Sequence, residues 1–132
     1  MYNPVNMQIK KFDSVCIWSE NPDKLAEFYE KVIGLKPDNK IDFPDDYGIT
    51  FVIDGVFLFI GRHDKVTGKA KDPYRIMPGF VVDSVDEVYK DLSSKGVEFI
   101  RMPSWSPDNM YRAATILDPE GNIIQFFSDY KN

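Results

Sequence analysis

Few side chains in this 132-residue chain have the types and spacing that reaction chemistry needs. The single cysteine, Cys16, is a nucleophile only with a base beside it, and the sole histidine, His63, stands far along the chain. No local signature supports a Cys16–His63 dyad, so Cys16 reads as a buried, inert thiol. A serine nucleophile elbow, a phosphate-cradling glycine loop and a dinucleotide glycine pattern are all missing. The neighbouring carboxylates Asp45 and Asp46 read as solvated, as do Lys65, Lys69 and Lys71, which are interleaved with acids. Gln125 is more informative. It interrupts the apolar run Ile123–Phe127, and an amide placed there needs a hydrogen-bond partner if buried.

The elements that would position these groups come in pairs. Thr115-Ile116-Leu117 enters the turn Asp118-Pro119-Glu120-Gly121-Asn122, and a second apolar run through Gln125 leaves it, which is a hairpin pattern. A shorter copy, Thr50–Ile60, turns at Asp54-Gly55. Ahead of the first hairpin, Asp13–Trp18 reads as a strand, and Asn21-Pro22-Asp23 as a helix start. Leu25, Phe28, Tyr29, Val32 and Ile33 recur at helical spacing until Gly34. The second half repeats this with strand Gly79–Val82, helix start Asp83–Asp86, the stripe Val85, Val88, Tyr89 and Leu92, and Gly96 at the end. Asp23 and Asp86 stand 63 positions apart. Each half reads strand–helix–strand–strand–strand, so the fold class is α+β with two tandem βαβββ modules. Module 9–61 and module 77–128 are joined by linker 62–76.

Composition excludes several function classes. A chain that is 43% hydrophobic can bury a core and is one domain's worth of sequence. No apolar run spans a bilayer, and Met1-Tyr2-Asn3-Pro4 lacks the charged and apolar regions of a signal peptide. One cysteine rules out an internal disulfide framework and agrees with the cytoplasm. A net charge of −5 argues against nucleic acid and suits a cationic small molecule. Residues 1–8 read as an arm that adds a strand edge or crosses to a partner. Asp38–Tyr47, with Phe43 and Tyr47, reads as a loop or flap, and Pro-rich Met102–Tyr111, with Trp105, is its counterpart.

The two modules, the Phe28-Tyr29 pair followed by Ile33-Gly34-Leu35, and the Asp118–Asn122 turn together resemble the vicinal oxygen chelate superfamily. That superfamily contains glyoxalase I, extradiol dioxygenases and bleomycin-resistance proteins. The resemblance covers about residues 9–128. It implies curved mixed sheets forming a cupped cleft, in a homodimer whose clefts are built from paired modules. Its enzymes hold a divalent metal with His, Glu or Gln from the first and last strand of each module. Carried over, those positions are Ser14, Phe59, Met77 and Gln125. Only Gln125 is a reasonable ligand for a hard cation, so no metal and no other cofactor is expected.

Without a Lewis acid, the resemblance points to the bleomycin-resistance branch, which sequesters a drug. Strand parity places Ser14, Cys16, Trp18, Phe57, Phe59, Met77, Gly79, Val81, Ile123, Gln125 and Phe127 on the cleft face. Trp18, Phe59, Trp105 and Tyr111 are expected to stack on a planar or cationic ligand, with Gln125 and Arg112 as polar anchors. Two other classes stay open. One is a lyase, isomerase or dioxygenase-type enzyme, with an atypical metal set or using Cys16 or Tyr111. The other is a scaffold or regulatory subunit whose cup is filled by its own side chains.

Overall fold

Hydrogen-bonding patterns encoded at the helix starts and hairpin turns set the architecture of the chain, seen here in a computed structural model that describes residues 8–131. Strand β1 (Ser14–Ser19) leads into helix α1 (Pro22–Glu27), where the Asn21 side chain accepts from the Lys24 N–H. The helical stripe does not continue as one α-helix: Phe28–Ile33 widens into a π-helical turn, closed by Gly34 at φ 91°. Strands β2 (Pro37–Phe43), β3 (Asp46–Ile53) and β4 (Val56–Arg62) complete the first module. Asp54 and Gly55 both have positive φ, the geometry of a tight hairpin turn.

The second module repeats the order with β5 (Gly79–Val81), α2 (Val85–Ser94), β6 (Phe99–Trp105), β7 (Arg112–Leu117) and β8 (Ile123–Ser128). Ser84 caps α2 by accepting from the Glu87 N–H at 3.1 Å. Between the modules lies a single short 3-10 turn, Pro73–Arg75. The first loop expected from sequence is largely strand, Asp38–Tyr47 being taken up by β2 and the start of β3, whereas of Met102–Tyr111 only Met102–Trp105 is strand, in β6, and the rest is loop. The arm expected at residues 1–8 lies, apart from Gln8, outside the described residues.

Each module forms its own mixed sheet, in the orders β1-β4-β3-β2 and β5-β8-β7-β6, with the β1–β4 and β5–β8 pairs parallel. The registers correspond. Cys16 faces Phe59 across β1–β4, and Thr50 faces Phe59 across β3–β4. Gly79 and Thr115 face Gln125 in the same way. Leu25, Tyr29, Phe51 and Ile60 of the first module share one core with Val85, Leu92, Ile116 and Phe126 of the second. The sheets thus meet through their helix-bearing sides. The other face of the first sheet leaves Trp18, Val52 and Phe57 exposed, whereas on the second Val81 is exposed but Ala113, Thr115 and Ile123 are buried, so Ile123 does not line an open cleft as expected.

The turn Asp118–Asn122 ties the modules together. Buried Asp118 accepts from the Glu120 and Asn122 N–H groups, from Asn122 Nδ2 and, at 2.7 Å, from the Tyr29 hydroxyl of the first module. Four donors on one carboxylate satisfy a group that would otherwise be costly to bury.

Candidate functional site

Alternation along the strands sends every second side chain to the open faces. On the first sheet these include Cys16 and Trp18 of β1, Thr50 of β3, and Phe57 and Phe59 of β4. Cys16 is exposed rather than buried, because its neighbours Val15 and Ile17 take the core side. His63 does not reach it as a base: the imidazole packs against Trp18, and its Nδ1 accepts from the Lys65 N–H at 3.1 Å.

Phe59 and Trp18 meet edge to face, with ring centroids 5.5 Å apart. The phenyl ring leans along β4 over a pair of glycines, Gly48 and Gly61, which face each other across β3–β4. A Cβ at Gly48 would stand 2.6 Å from Phe59 Cζ, and one at Gly61 would stand 2.8 Å from Trp18 Cζ3 and 2.9 Å from Phe59 Cζ. A glycine within a strand signals such a close approach, but the strands expected from sequence contain neither Gly48 nor Gly61, and the pair was missed. Trp18 also borders a cavity of 420 Å³ with Asp45, Asp46, Tyr47, Arg62 and His63, where the Arg62 guanidinium lies 4.7 Å from the Tyr47 ring centre.

The second sheet carries Gln125, whose Nε2 donates to the Met77 carbonyl at 3.4 Å. Phe127 lies over Gly79 in the way Phe59 lies over its pair, and Tyr111 packs edge to face on Phe127. Tyr111 in turn stacks on Tyr130, at 5.3 Å. Trp105 and Arg112 turn the other way. They pair across β6–β7, and Arg112 faces Ser128 on the α2 side. The guanidinium binds Asp86 of α2 through both carboxylate oxygens, which holds that carboxyl below its ordinary range. Lys131 and Arg112 both lie against the Trp105 ring, at 4.3 and 5.4 Å. This pair therefore does not share a face with Gln125, which corrects its expected place in the cleft.

A second cavity, of 300 Å³, opens between β1, the linker and the Asp118–Asn122 turn, and is lined by Cys16, Trp18, Lys69, Ile76 and Glu120. Burial pushes the Glu120 carboxyl up, while the Ser19 hydroxyl donates to it at 2.5 Å. The Ala70 N–H bonds the Glu120 carbonyl and fixes the linker over this turn.

The metal of the superfamily's enzymes does not fit this donor set. Phe59 has no donor, the Ser14 hydroxyl is a weak ligand and the Met77 thioether is soft, so the Gln125 amide oxygen would stand as the one suitable ligand among the four, too few to hold a divalent ion. Among the described residues, no three of His, Cys, Asp and Glu gather to share an ion. No described helix is long and apolar enough to cross a membrane.

Solved structures with the same architecture include SMU.1112c, 17% identical, with 92% of this chain matched to 100% of that one at a TM-score of 0.78. A superfamily member from Sphaerobacter thermophilus DSM 20745 is 24% identical, covering 92% of this chain and 98% of its own at 0.72. TnmS3, an antibiotic binding protein from Streptomyces sp. CB03234, is 19% identical, covering 93% and 98% at 0.71. No curated protein matches the sequence. The model of the Glyoxalase/Bleomycin resistance protein/Dioxygenase superfamily matches residues 11–126, and the chain belongs to that superfamily.

Proposed function

We propose that this protein binds a small organic molecule, planar or cationic, against the open faces of its sheets and without the metal of the family's enzymes. In the same reading two copies pair in the cytoplasm, closing those faces into clefts. The observation that carries it is Phe59: at the strand position corresponding to Gln125 stands a hydrocarbon ring, laid over glycines where a ligating side chain would stand. Aromatic walls with few charged groups favour binding by burial and ring stacking. That TnmS3 is an antibiotic binding protein agrees with this use of the fold. Trp18, Phe59, Tyr111 and Gln125 are the ligand-facing residues in this proposal.

The test has two arms. Protein incubated with zinc, manganese, iron, nickel or cobalt and then desalted should retain none of them at stoichiometric level. A thermal-shift screen of planar aromatic and cationic drugs should give saturable stabilisation, as binding to the folded state requires. Retention of one ion per chain, lost in Gln125→Ala, would overturn the reading in favour of an enzyme.

A further inference from the structure

Phe59 belongs to the site just proposed, but what sets its posture is a feature of the backbone beneath it. Gly48 and Gly61 face each other across β3–β4, and the far edge of the phenyl ring occupies the space where their Cβ atoms would be. A side chain at either position would force the ring up from the sheet. Trp18 stands against it at an interplanar angle of 78°, so the two rings make a floor and a wall. Cys16 and Thr50, the cross-strand neighbours of Phe59, complete the surroundings with small side chains. A low aromatic floor, one upright ring and small neighbours make a shallow bay shaped for a slab rather than for a globular body.

We propose that Gly61, with Gly48, is a specificity-determining position: it holds Phe59 down and thereby selects ligands with a flat fused-ring system. This rests on the reading of the open face as a ligand site and adds the ligand's shape and the residues that set it. The second sheet repeats the device with different residues. Phe127 covers Gly79, where a Cβ would meet its Cε2 at 2.5 Å, and Tyr111 supplies the upright ring.

The two glycines differ as test positions. A Cβ at Gly48 also meets the Ile60 backbone oxygen at 2.5 Å, so substitution there disturbs the sheet itself. At Gly61 the close atoms are the far ends of two side chains, Phe59 and Trp18, which can swing aside. Gly61→Ala is therefore the informative variant. The probes are proflavine, a flat tricyclic cation, and amantadine, a globular cation, titrated by calorimetry against the full chain. Circular dichroism and melting confirm that each variant is folded.

The wild type should bind proflavine more tightly than amantadine, and Gly61→Ala should weaken proflavine binding about tenfold. In a Phe59→Leu background the same glycine change should alter affinity less than about twofold, because the ring through which it acts is gone. Equal effects in both backgrounds, or none in either, would overturn the bay while leaving the binding reading intact. Amantadine binding without proflavine binding would do the same. Binding of neither probe would remove the ligand site and the bay together.

Discussion

Tyr29 shows how much a single side chain carries. Its ring is fully buried beneath the first sheet, and its hydroxyl reaches Asp118 of the second module at 2.7 Å. Burial, with the Asp118 and Glu120 charges added, pushes the phenol well above its usual pKa. The linkage follows from that direction. In the unfolded chain the phenol ionises near pH 10, whereas in the fold it keeps its proton. The stability it lends is fully present below about pH 10 and is lost as pH rises toward the folded-state value. Tyr29→Phe, which keeps the ring and removes the hydroxyl, should cost about 2 kcal/mol at neutral pH, as loss of a hydrogen bond to a charged group does. It should also shrink the loss of stability above pH 10. Urea unfolding of both proteins across pH would show it, and curves that stay parallel through that range would contradict the assignment.

The same residue scale explains what the sequence hid about the site. Alternation placed Cys16, Trp18, Phe59 and Gln125 on the open faces, because a period of two needs no knowledge of neighbours. The expectation of a buried Cys16 thiol runs against that residue's own place in the alternation, and nothing local shows that Arg112 is claimed by Asp86, 26 residues away in sequence. Trp105 follows Arg112 across a strand pair whose register shifts between Phe99 and Arg101 and again between Arg101 and Ser104. Each shift breaks the simple count from residue to face.

At the scale of elements, legibility tracked periodicity. Helix starts, hairpin turns and the repeated βαβββ order were readable because caps, turn residues and apolar stripes are local signals. Strand β2 was not. Pro37–Phe43 is exposed at nearly every position, so it offers no alternation and reads as loop until β3 is there to pair with it. The π-helical turn after α1 was equally hidden, since Phe28, Tyr29, Val32 and Ile33 satisfy an α-helical stripe just as well. Its closing residue makes a testable point. The Gly34 and Leu35 N–H groups both bond the Tyr29 carbonyl, and Gly34 adopts φ 91° with nothing within 4 Å of where a Cβ would be. Any cost of substitution is therefore conformational. Gly34→Ala should destabilise by about 1 kcal/mol, and Gly34→Asn by less, because Asn tolerates the left-handed region. Chemical denaturation would order the three proteins, and an alanine variant as stable as the wild type would show that the turn relaxes freely.

For the whole molecule the decisive fact is where the apolar surface went. The core gathers the helix sides of both sheets, and the open faces keep large side chains in water. Val81 is 74% exposed, Val52 42%, and Trp18 and Phe57 37% each. Apolar residues grouped on a sheet face, rather than scattered singly, mark an interaction surface. In the dimer proposed above a second copy of the chain would offer the matching surface, each copy carrying both half-sites, Trp18 with Phe59 and Gln125 with Tyr111. Pairing would close both faces into clefts in one symmetric step. Association of that kind stabilises the folded state by mass action, so the melting temperature of the wild type should rise with protein concentration. Val81→Asp would place a charge on the proposed contact without entering the core. It should shift sedimentation toward the monomer and flatten that concentration dependence, while the melting temperature at high dilution stays close to that of the wild type. A wild-type protein that sediments as a monomer across the dilution series, with one fixed melting temperature, would leave each open face as a solvent-facing groove and refute the paired cleft.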